Sequence, residues 1–182
     1  RDIEEIAAWR QDTSDIVSIR PQLPFDCPLD LHAAYGSNEI KAALGVATME
    51  TAGPTGTGVI HVKDLRAYLH FVTFNKSDKD FSPTNRYHDY LLNRAQLHWE
   101  SMSTTTRASV TGQNYIHFGE RGYTILFFAR LNKDVGGITS PFTYLGPARA
   151  LLHCEGDRPI RMIWELAHPV PAEMYEQNCV GG

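Results

Sequence analysis

Five consecutive apolar residues in the middle of the chain constrain its fold more than any other feature. They are Ile125, Leu126, Phe127, Phe128 and Ala129, and they lie inside the β-branched and aromatic segment 123–131. A strand whose side chains are apolar on both faces is normally covered on both faces. We therefore predict that this segment is a strand in the centre of a sheet.

Further segments with period-two patterning lie on either side of this strand, and turn-forming residues separate them. We predict strands in 59–62, 67–74, 91–99, 115–118, 142–145 with 148–154, and 160–166. The segment 91–99 is expected to contain a turn before its strand. About seven short strands with few helices predict a mainly β (α+β) fold, a small β-barrel with a few short flanking helices.

The chain divides into three parts by composition. Three prolines, Pro21, Pro24 and Pro28, forbid a continuous helix and follow a segment with helical spacing of apolar residues. We interpret 1–28 as an N-terminal helix and proline-rich arm or linker, 29–172 as the barrel domain, and 173–182 as a tail. Within the domain, 37–45 is predicted to be a helix, with Ser37 as its N-cap and Gly45 after its end. Because the chain begins with Arg1, we expect either an excerpt from a longer protein or a processed chain.

Composition sets the class of protein. The chain has 182 residues, 42% of them hydrophobic and 21% charged, which suits one globular domain. It contains no apolar run of the roughly 20 residues that span a bilayer, and three scattered cysteines fit a reducing compartment. We therefore expect a cytoplasmic protein that does not contact a membrane.

The net charge of -4 hides an uneven distribution. Residues 61–133 carry ten Lys and Arg against six Asp and Glu, a net charge of +4, whereas both ends of the chain are acidic. The basic middle could follow phosphates, although charge alone favours an ordinary mixed surface. Overall charge therefore does not exclude nucleic acid.

Motifs for metal, nucleophilic and nucleotide chemistry are missing from the sequence. Eight histidines show no ligand spacing, CxxC and HExxH are absent, and so is the GxSxG elbow. The glycine-rich segment 53–58 lacks the GK[ST] ending of a phosphate loop. We expect no cofactor, no metal, and no enzymatic activity of the isolated domain.

Aromatic and acidic side chains are densest in the segment 86–101. As candidates for a base pocket we take aromatic stacking faces and groups that read base edges: Tyr87, Asp89, His98, Trp99, Glu100, Ser101 and Tyr115. Candidates for phosphate contacts are Lys76, Arg86, Arg94, Arg107 and Arg130. Two alternatives stay open: Trp99 and Tyr87 are core aromatics, or Asp89 and Glu100 are paired acids of a hydrolase.

Read in order, several segments resemble a known family. The match runs from His32-x-x-Tyr35-x-x-x-Glu39 through Phe81-Ser82-Pro83-Thr84 and Leu97-His98-Trp99-Glu100-Ser101 to Tyr144-Leu145-Gly146-Pro147 and Trp164-x-Leu166. This is similar to an uncharacterised bacterial C-terminal domain found behind superfamily-two DEAD/DEAH helicase cores, often with a phospholipase-D-type nuclease in front. The family pattern leads us to expect Gln at position 102, and this sequence has Met102 there instead.

The resemblance implies a setting in DNA handling and phage defence. It is compatible with a barrel of the PUA or SRA type, which reads modified DNA by flipping a base into an aromatic pocket. Its implied partners are DNA, in particular modified duplex, and the helicase and nuclease domains of the same parent chain. A regulatory domain that clamps the helicase is the alternative, and a small hydrolytic enzyme has less support.

Overall fold

The computed structural model describes residues 18–46, 58–75 and 88–180, with the side chains of 179 and 180 left out. The strands in these ranges are β1 Ala34–Tyr35, β2 Val59–Val62, β3 Ala67–Asn75, β4 Tyr90–Leu91, β5 Gln96–Glu100, β6 Thr124–Asn132, β7 Asp134–Val135, β8 Ile138–Thr139, β9 Phe142–Glu155 and β10 Arg161–Leu166. The helices are α1 Ser37–Ala43, α2 Val110–Ile116 and α3 Ala172–Val180. The prediction of a mainly β domain with short helices is confirmed.

One sheet organises the domain. Its strand order is β2-β3-β6-β9-β10-β5-β4, with β1 added to β9, and the hairpin β7–β8 stands apart. β3 and β6 run parallel, whereas the other neighbours are antiparallel. β6 lies inside the sheet as predicted, and its residues 125–129 are buried. The sheet is open between β2 and β4 in the described residues, so the predicted closure into a barrel is not shown.

The sheet nevertheless curls strongly. β3 and β5 are separated by three strands, and in a flat sheet they would lie about 19 Å apart at about 4.8 Å per strand. Instead the rings of His70 on β3 and Trp99 on β5 stack with their centroids 4.3 Å apart. The sheet therefore has a concave interior and a convex outer face.

Each face has its own core. The concave interior is filled by large buried side chains from six strands, among them Tyr68, Val72, Leu97, Trp99, Phe127, Met162 and Trp164. The convex face over β2, β3, β6 and the start of β9 carries a second cluster, which includes Leu29, Ile40, Leu44, Leu69, Leu126, Phe128 and Tyr144. Helix α1 and the segment that holds Leu23 and Phe25 cover this second cluster. The proline-rich connector thus packs on the domain.

Two helices differ from the sequence prediction. The segment 115–118 was predicted as a strand, yet Tyr115 and Ile116 end helix α2, whose N-cap Ser109 accepts a hydrogen bond from the backbone N–H of Gly112. A segment of only four residues fits both the two-residue period of a strand and the 3.6-residue period of a helix, and the N-cap at Ser109 favours the helix. The predicted tail is mostly helix α3, which contacts β4 and β6, and Met174 and Tyr175 pack against the interior core.

Smaller differences concern the ends of elements. The N-cap of α1 is Gly36 rather than Ser37, and the Glu39 carboxylate accepts a hydrogen bond from the Gly36 N–H at 2.6 Å. Gly45 follows the helix with a φ of +70°, as predicted. The two segments predicted around 142–154 form one strand, β9, in which Gly146 adopts a φ of +86° at an irregularity in register. The segment 132–141, expected to be a turn, contains the hairpin β7–β8.

Candidate nucleic-acid interface

The large aromatic residues of the predicted base pocket lie in the concave interior. Trp99 is 4% exposed and Tyr115 is 2% exposed. One face of Trp99 stacks on His70, and the edge of Tyr115 meets it at a centroid distance of 5.5 Å. Neighbouring rings therefore occupy these surfaces in the folded domain, whereas Tyr87 lies outside the described residues.

Ser101 is also an interior residue. Its side chain is fully buried, and its hydroxyl oxygen accepts a hydrogen bond at 2.9 Å from the backbone N–H of Ile160. The hydroxyl donates to the carbonyl of Met102 at 3.2 Å, and the Ser101 N–H donates to the Ile160 carbonyl at 3.0 Å. Ser101 thus joins the end of β5 to the turn before β10.

An exposed pair of stacked rings lies on the opposite, convex face. The β4–β5 register places Tyr90 directly opposite His98, and their rings stack at 4.5 Å with an interplanar angle of 11°. The next pair, Leu91 and Leu97, points into the core because side chains alternate along a strand. A hydrogen bond of 2.9 Å between His98 Nδ1 and the His88 carbonyl holds the ring in place. Tyr90 remains 44% exposed.

The two predicted acids flank this pair. Asp89 Oδ1 accepts a hydrogen bond from the Glu100 N–H at 3.1 Å, and Glu100 Oε2 accepts one from the His88 N–H at 3.3 Å. Glu100 shares the convex face with His98, two residues along β5. The carboxylates are therefore held beside the stacked rings by the backbone that carries them.

The stacked pair begins a row that crosses four strands. His98 pairs with Ile163 on β10, and Ile163 pairs with His153 on β9. The side chain of His153 is 54% exposed. We call Tyr90, His98, Ile163 and His153 the exposed row. It extends about 14 Å across the sheet at about 4.8 Å per strand.

A parallel row of charges lies next to it. Arg161 is the register partner of both Glu100 and Glu155, and its Nε is 3.0 Å from Glu155 Oε1. His153 Nε2 lies 3.4 Å from the other Glu155 oxygen. The hydrogen bond from Arg161, and next that from His153, lower the pKa of the Glu155 carboxyl below its usual range. We call Glu100, Arg161 and Glu155 the charged row.

The residues predicted to contact phosphates differ in their exposure and in their hydrogen bonds. Arg107 is exposed, and its backbone N–H donates to Asp157 Oδ1 at 2.7 Å. Arg94 is exposed and bonded through Nε to the Val170 carbonyl at 2.8 Å. Lys76 and Arg86 lie outside the described residues.

Arg130 belongs to the framework. Its Nε donates to Thr73 Oγ1 at 3.0 Å and its Nη1 to the Ser140 carbonyl at 3.1 Å. Its guanidinium lies over the Phe142 ring, 4.2 Å from the centroid. Arg130 therefore holds the base of the β7–β8 hairpin against β3 and β9.

Sequence reasoning predicted the strands that complete the two rows but missed their residues as members of the site. His153, Ile163 and Arg161 were not candidates, because only the pairing of β9, β10 and β5 brings them beside His98. The alternation in 96–100 does place His98 and Glu100 on one face and Trp99 on the other. That signal could have separated the exposed candidates from the buried ones.

The described residues contain neither a cluster of metal ligands nor a membrane-spanning helix. In 18–46, 58–75 and 88–180, no three His, Cys, Asp or Glu side chains come together as metal ligands. Across the same ranges, no helix has the length and apolar character needed to cross a membrane.

Comparison with known proteins places the chain in a family. No curated protein matches it. A family described as a domain of unknown function, DUF3427, matches residues 29–178, which covers the curled sheet, both rows and most of helix α3. The match begins at the first buried residue of the convex-face core, Leu29, as expected if the family shares this framework. The chain therefore belongs to the DUF3427 family.

Proposed function

We propose that this domain is a DNA-recognition module that reads modified or otherwise marked DNA. The observation that carries the proposal is the exposed stack of Tyr90 and His98 beside the Glu100 carboxylate on the convex face. Aromatic faces accept bases of any sequence, and each stacked base contributes roughly 1–3 kcal/mol of binding free energy. The exposed row therefore supplies the affinity for an unpaired or flipped base.

The carboxylates supply the discrimination. A carboxylate accepts hydrogen bonds, so it favours the exocyclic amino groups of cytosine or adenine. Glu100 is held two residues from His98, where it faces the edge of a base that extends the ring stack. A substituent on that edge would change the fit, which is the basis for reading a modification.

The acidic character of the charged row supports base contacts over phosphate contacts at this place. Two glutamates face one arginine there, and like charges repel the DNA backbone. The phosphates would then lie at the edges of the convex face, near Arg94 or Arg107. The bases would point toward the exposed row.

Binding of fluorescent oligonucleotides tests this proposal. The panel holds duplex and single-stranded DNA, each plain, methylated, hydroxymethylated, glucosylated or phosphorothioate. Tyr90→Ala should weaken binding about tenfold or more, because about 1.4 kcal/mol corresponds to tenfold. Tyr90→Phe is the matched control, since it keeps the ring and should bind nearly as well as the native domain.

Two results would contradict the proposal. Equal binding of every DNA in the panel would show that the domain does not distinguish modified from plain DNA. Equal binding by the native domain and by Tyr90→Ala would show that the Tyr90–His98 stack does not contact DNA. Glu100→Gln should instead alter the order of preference among the modified DNAs, because it replaces one acceptor by a donor.

The family resemblance supports the wider setting that we propose. In it, the domain serves a restriction or phage-defence protein in the bacterial cytoplasm, and its partners are DNA and the helicase and nuclease domains of the parent chain. The curled sheet is compatible with a PUA- or SRA-like barrel. In this proposal the domain recognises the DNA, and the helicase and nuclease domains carry out catalysis.

A regulatory role through protein contact is the second candidate, and the β7–β8 hairpin favours it. Val135 and Ile138 pair across the hairpin and are 64% and 75% exposed. Gly136 and Gly137 at its tip both have positive φ, as a tight two-residue turn requires. Val135→Ser with Ile138→Ser should then change ATP turnover of the parent protein without changing DNA preference. An unchanged turnover would reject this role.

A further inference from the structure

Three chain segments meet at the end of the sheet where β5 begins. The Val170 N–H donates to the Arg94 carbonyl at 2.7 Å, and Arg94 Nε donates back to the Val170 carbonyl at 2.8 Å. On the neighbouring strand, the Ala167 N–H donates to the Pro147 carbonyl at 3.0 Å. The turn before β5 is therefore fixed to the segment after β10 and to β9.

His32 joins the same place from the segment before β1. Its N–H donates to the Tyr144 carbonyl on β9 at 2.8 Å. Gly146 lies two residues further along β9, and a Cβ there would stand 3.1 Å from Leu31 Cδ1 and 3.5 Å from His168 Cδ2. His168 and the residue before His32 thus approach β9 at the same glycine.

The conformation of His32 is unusual. It has a φ of +65°, in a region that non-glycine residues rarely adopt. Its Nε2 is buried and has no hydrogen-bond partner among the described residues. Strained backbone with a buried, unpartnered nitrogen is more common at binding sites than in an ordinary turn.

The charges around His32 share one sign. Burial lowers the pKa of His32 most, and the charges of His168 and then Arg94 lower it further, while an interaction with the backbone of Pro169 opposes them. No carboxylate of the described residues is among the groups that act on it. Arg94 donates to the Val170 carbonyl through Nε, and an arginine side chain carries further N–H donors on its two terminal nitrogens that can bind an anion.

We propose that Arg94, His32 and His168 form a phosphate-binding site. The three side chains are nitrogen donors from three segments, and a phosphate oxygen accepts from each of them. The inference rests on the proposed function for the source of the phosphate, which is the backbone of a bound DNA strand. Arg94 lies in the turn that precedes β5, and His98 is the third residue of β5, so one DNA strand could contact both the phosphate site and the stacked rings.

NMR titration of the native domain with inorganic phosphate tests the site directly. The ring resonances of His32 and His168 should shift, and the pKa of His32 should rise, since an anion favours the charged imidazolium. Sodium chloride at matched ionic strength should produce neither change. No shift of either ring at any phosphate concentration would overturn the site.

Arg94→Gln should weaken phosphate binding about tenfold or more. Lys63→Gln is the matched control, because it removes one charge from an exposed residue after β2. His168→Gln provides a second variant that leaves the Arg94–Val170 hydrogen bonds intact. Native affinity in both Arg94→Gln and His168→Gln would also overturn the site.

DNA binding by the same variants separates the two proposals. If Tyr90→Ala weakens DNA binding but Arg94→Gln changes neither DNA nor phosphate binding, the phosphate site is wrong and the DNA-recognition function stands. If phosphate binds at Arg94 while no DNA in the panel binds, the site stands and a free phosphoryl compound is its source. The proposed function then fails.

Discussion

The ring of His70 gives the domain a pH-dependent stability that can be calculated from its surroundings. His70 is fully buried between Trp99, whose ring it stacks on, and the edges of Tyr115 and Phe127. Neither ring nitrogen has a hydrogen-bond partner among the described residues. Burial lowers the pKa of His70 from its ordinary 6.5 to about 3, because the apolar surroundings disfavour the charged ring.

Acid should therefore destabilise the fold. Between pH 6.5 and pH 3 the unfolded chain binds a proton on this residue that the folded domain does not, so stability is highest above pH 6.5 and falls with pH. Each pH unit is worth about 1.36 kcal/mol. At pH 4.5, about two units below the unfolded pKa, His70 alone should reduce the free energy of unfolding by about 3 kcal/mol.

Urea unfolding of the native domain and of His70→Phe, near pH 7 and at pH 4.5, isolates this contribution. The native domain should lose about 3 kcal/mol more than His70→Phe between the two conditions, since phenylalanine does not titrate. Any packing cost of the larger ring is present at both pH values and cancels in this difference. His61→Phe is the control: this ring also stacks, on Tyr68, but it is exposed, so its replacement should alter the pH dependence much less.

An equal loss of stability in the native domain and in His70→Phe would refute this reasoning. Where His70→Phe does not fold, NMR titration of the native ring answers the same question. A pKa near 6.5 for His70 in the folded domain would show that solvent reaches this ring in the interior. The tight stacking of His70 on Trp99 would then be the wrong description of the core.

Two further predictions concern the stability of the fold. Gly112→Ala should destabilise the domain by about 1–3 kcal/mol or more, because the added Cβ would lie 2.0 Å from the Thr106 carbonyl oxygen. Gly119→Ala is its control: no described atom lies near the added Cβ, so urea unfolding should show a nearly unchanged stability. Ser101→Ala should cost about 1–3 kcal/mol, since it leaves the buried Ile160 N–H without its acceptor, and a thermal melt with no loss of stability would contradict this.

The sequence predicts the framework well because strand patterning is local. The strand at 59–62 and those that became β3 and β6 follow from alternation and β-branched content, and the buried run 125–129 predicts the central position of β6. The segment 115–118 shows the limit. Its four residues fit a strand, but Ser109, six residues earlier, caps a helix that extends into them.

The candidate site could be predicted only in part, because strand register is a long-range property. The sequence indicated 86–101 as the candidate region, and there the structure places His98 and Glu100 on one face, with Asp89 bonded to the Glu100 N–H. It could not place His153 or Arg161 beside them, since only the pairing of β9 and β10 does so. Trp99 and Tyr115 were grouped with the surface candidates, whereas alternation along β5 turns Trp99 inward and helix α2 packs Tyr115 against it.

The curl also explains why the exposed row stays accessible. Side chains on the concave side converge, and His70 and Trp99 meet there at 4.3 Å. Side chains on the convex side diverge, so neighbours crowd Tyr90 and His98 less than they would on a flat sheet. Helix α1 and the proline-rich connector cover the other half of that convex face. One half of the outer surface thus completes the fold, and the other half carries the exposed row.

The charge pattern then determines what kind of DNA binding this surface can support. The charged row has one arginine against two glutamates, so it gives no net attraction for phosphates. If the domain binds DNA as we propose, the phosphate contacts would come from the edge at Arg94. With one or two such contacts, affinity should depend on salt with a slope of only about -1 to -2 in log–log form. Under the proposed function, so small an electrostatic part would not hold DNA non-specifically, and the preference among DNAs would have to come from the stacked rings and from Glu100.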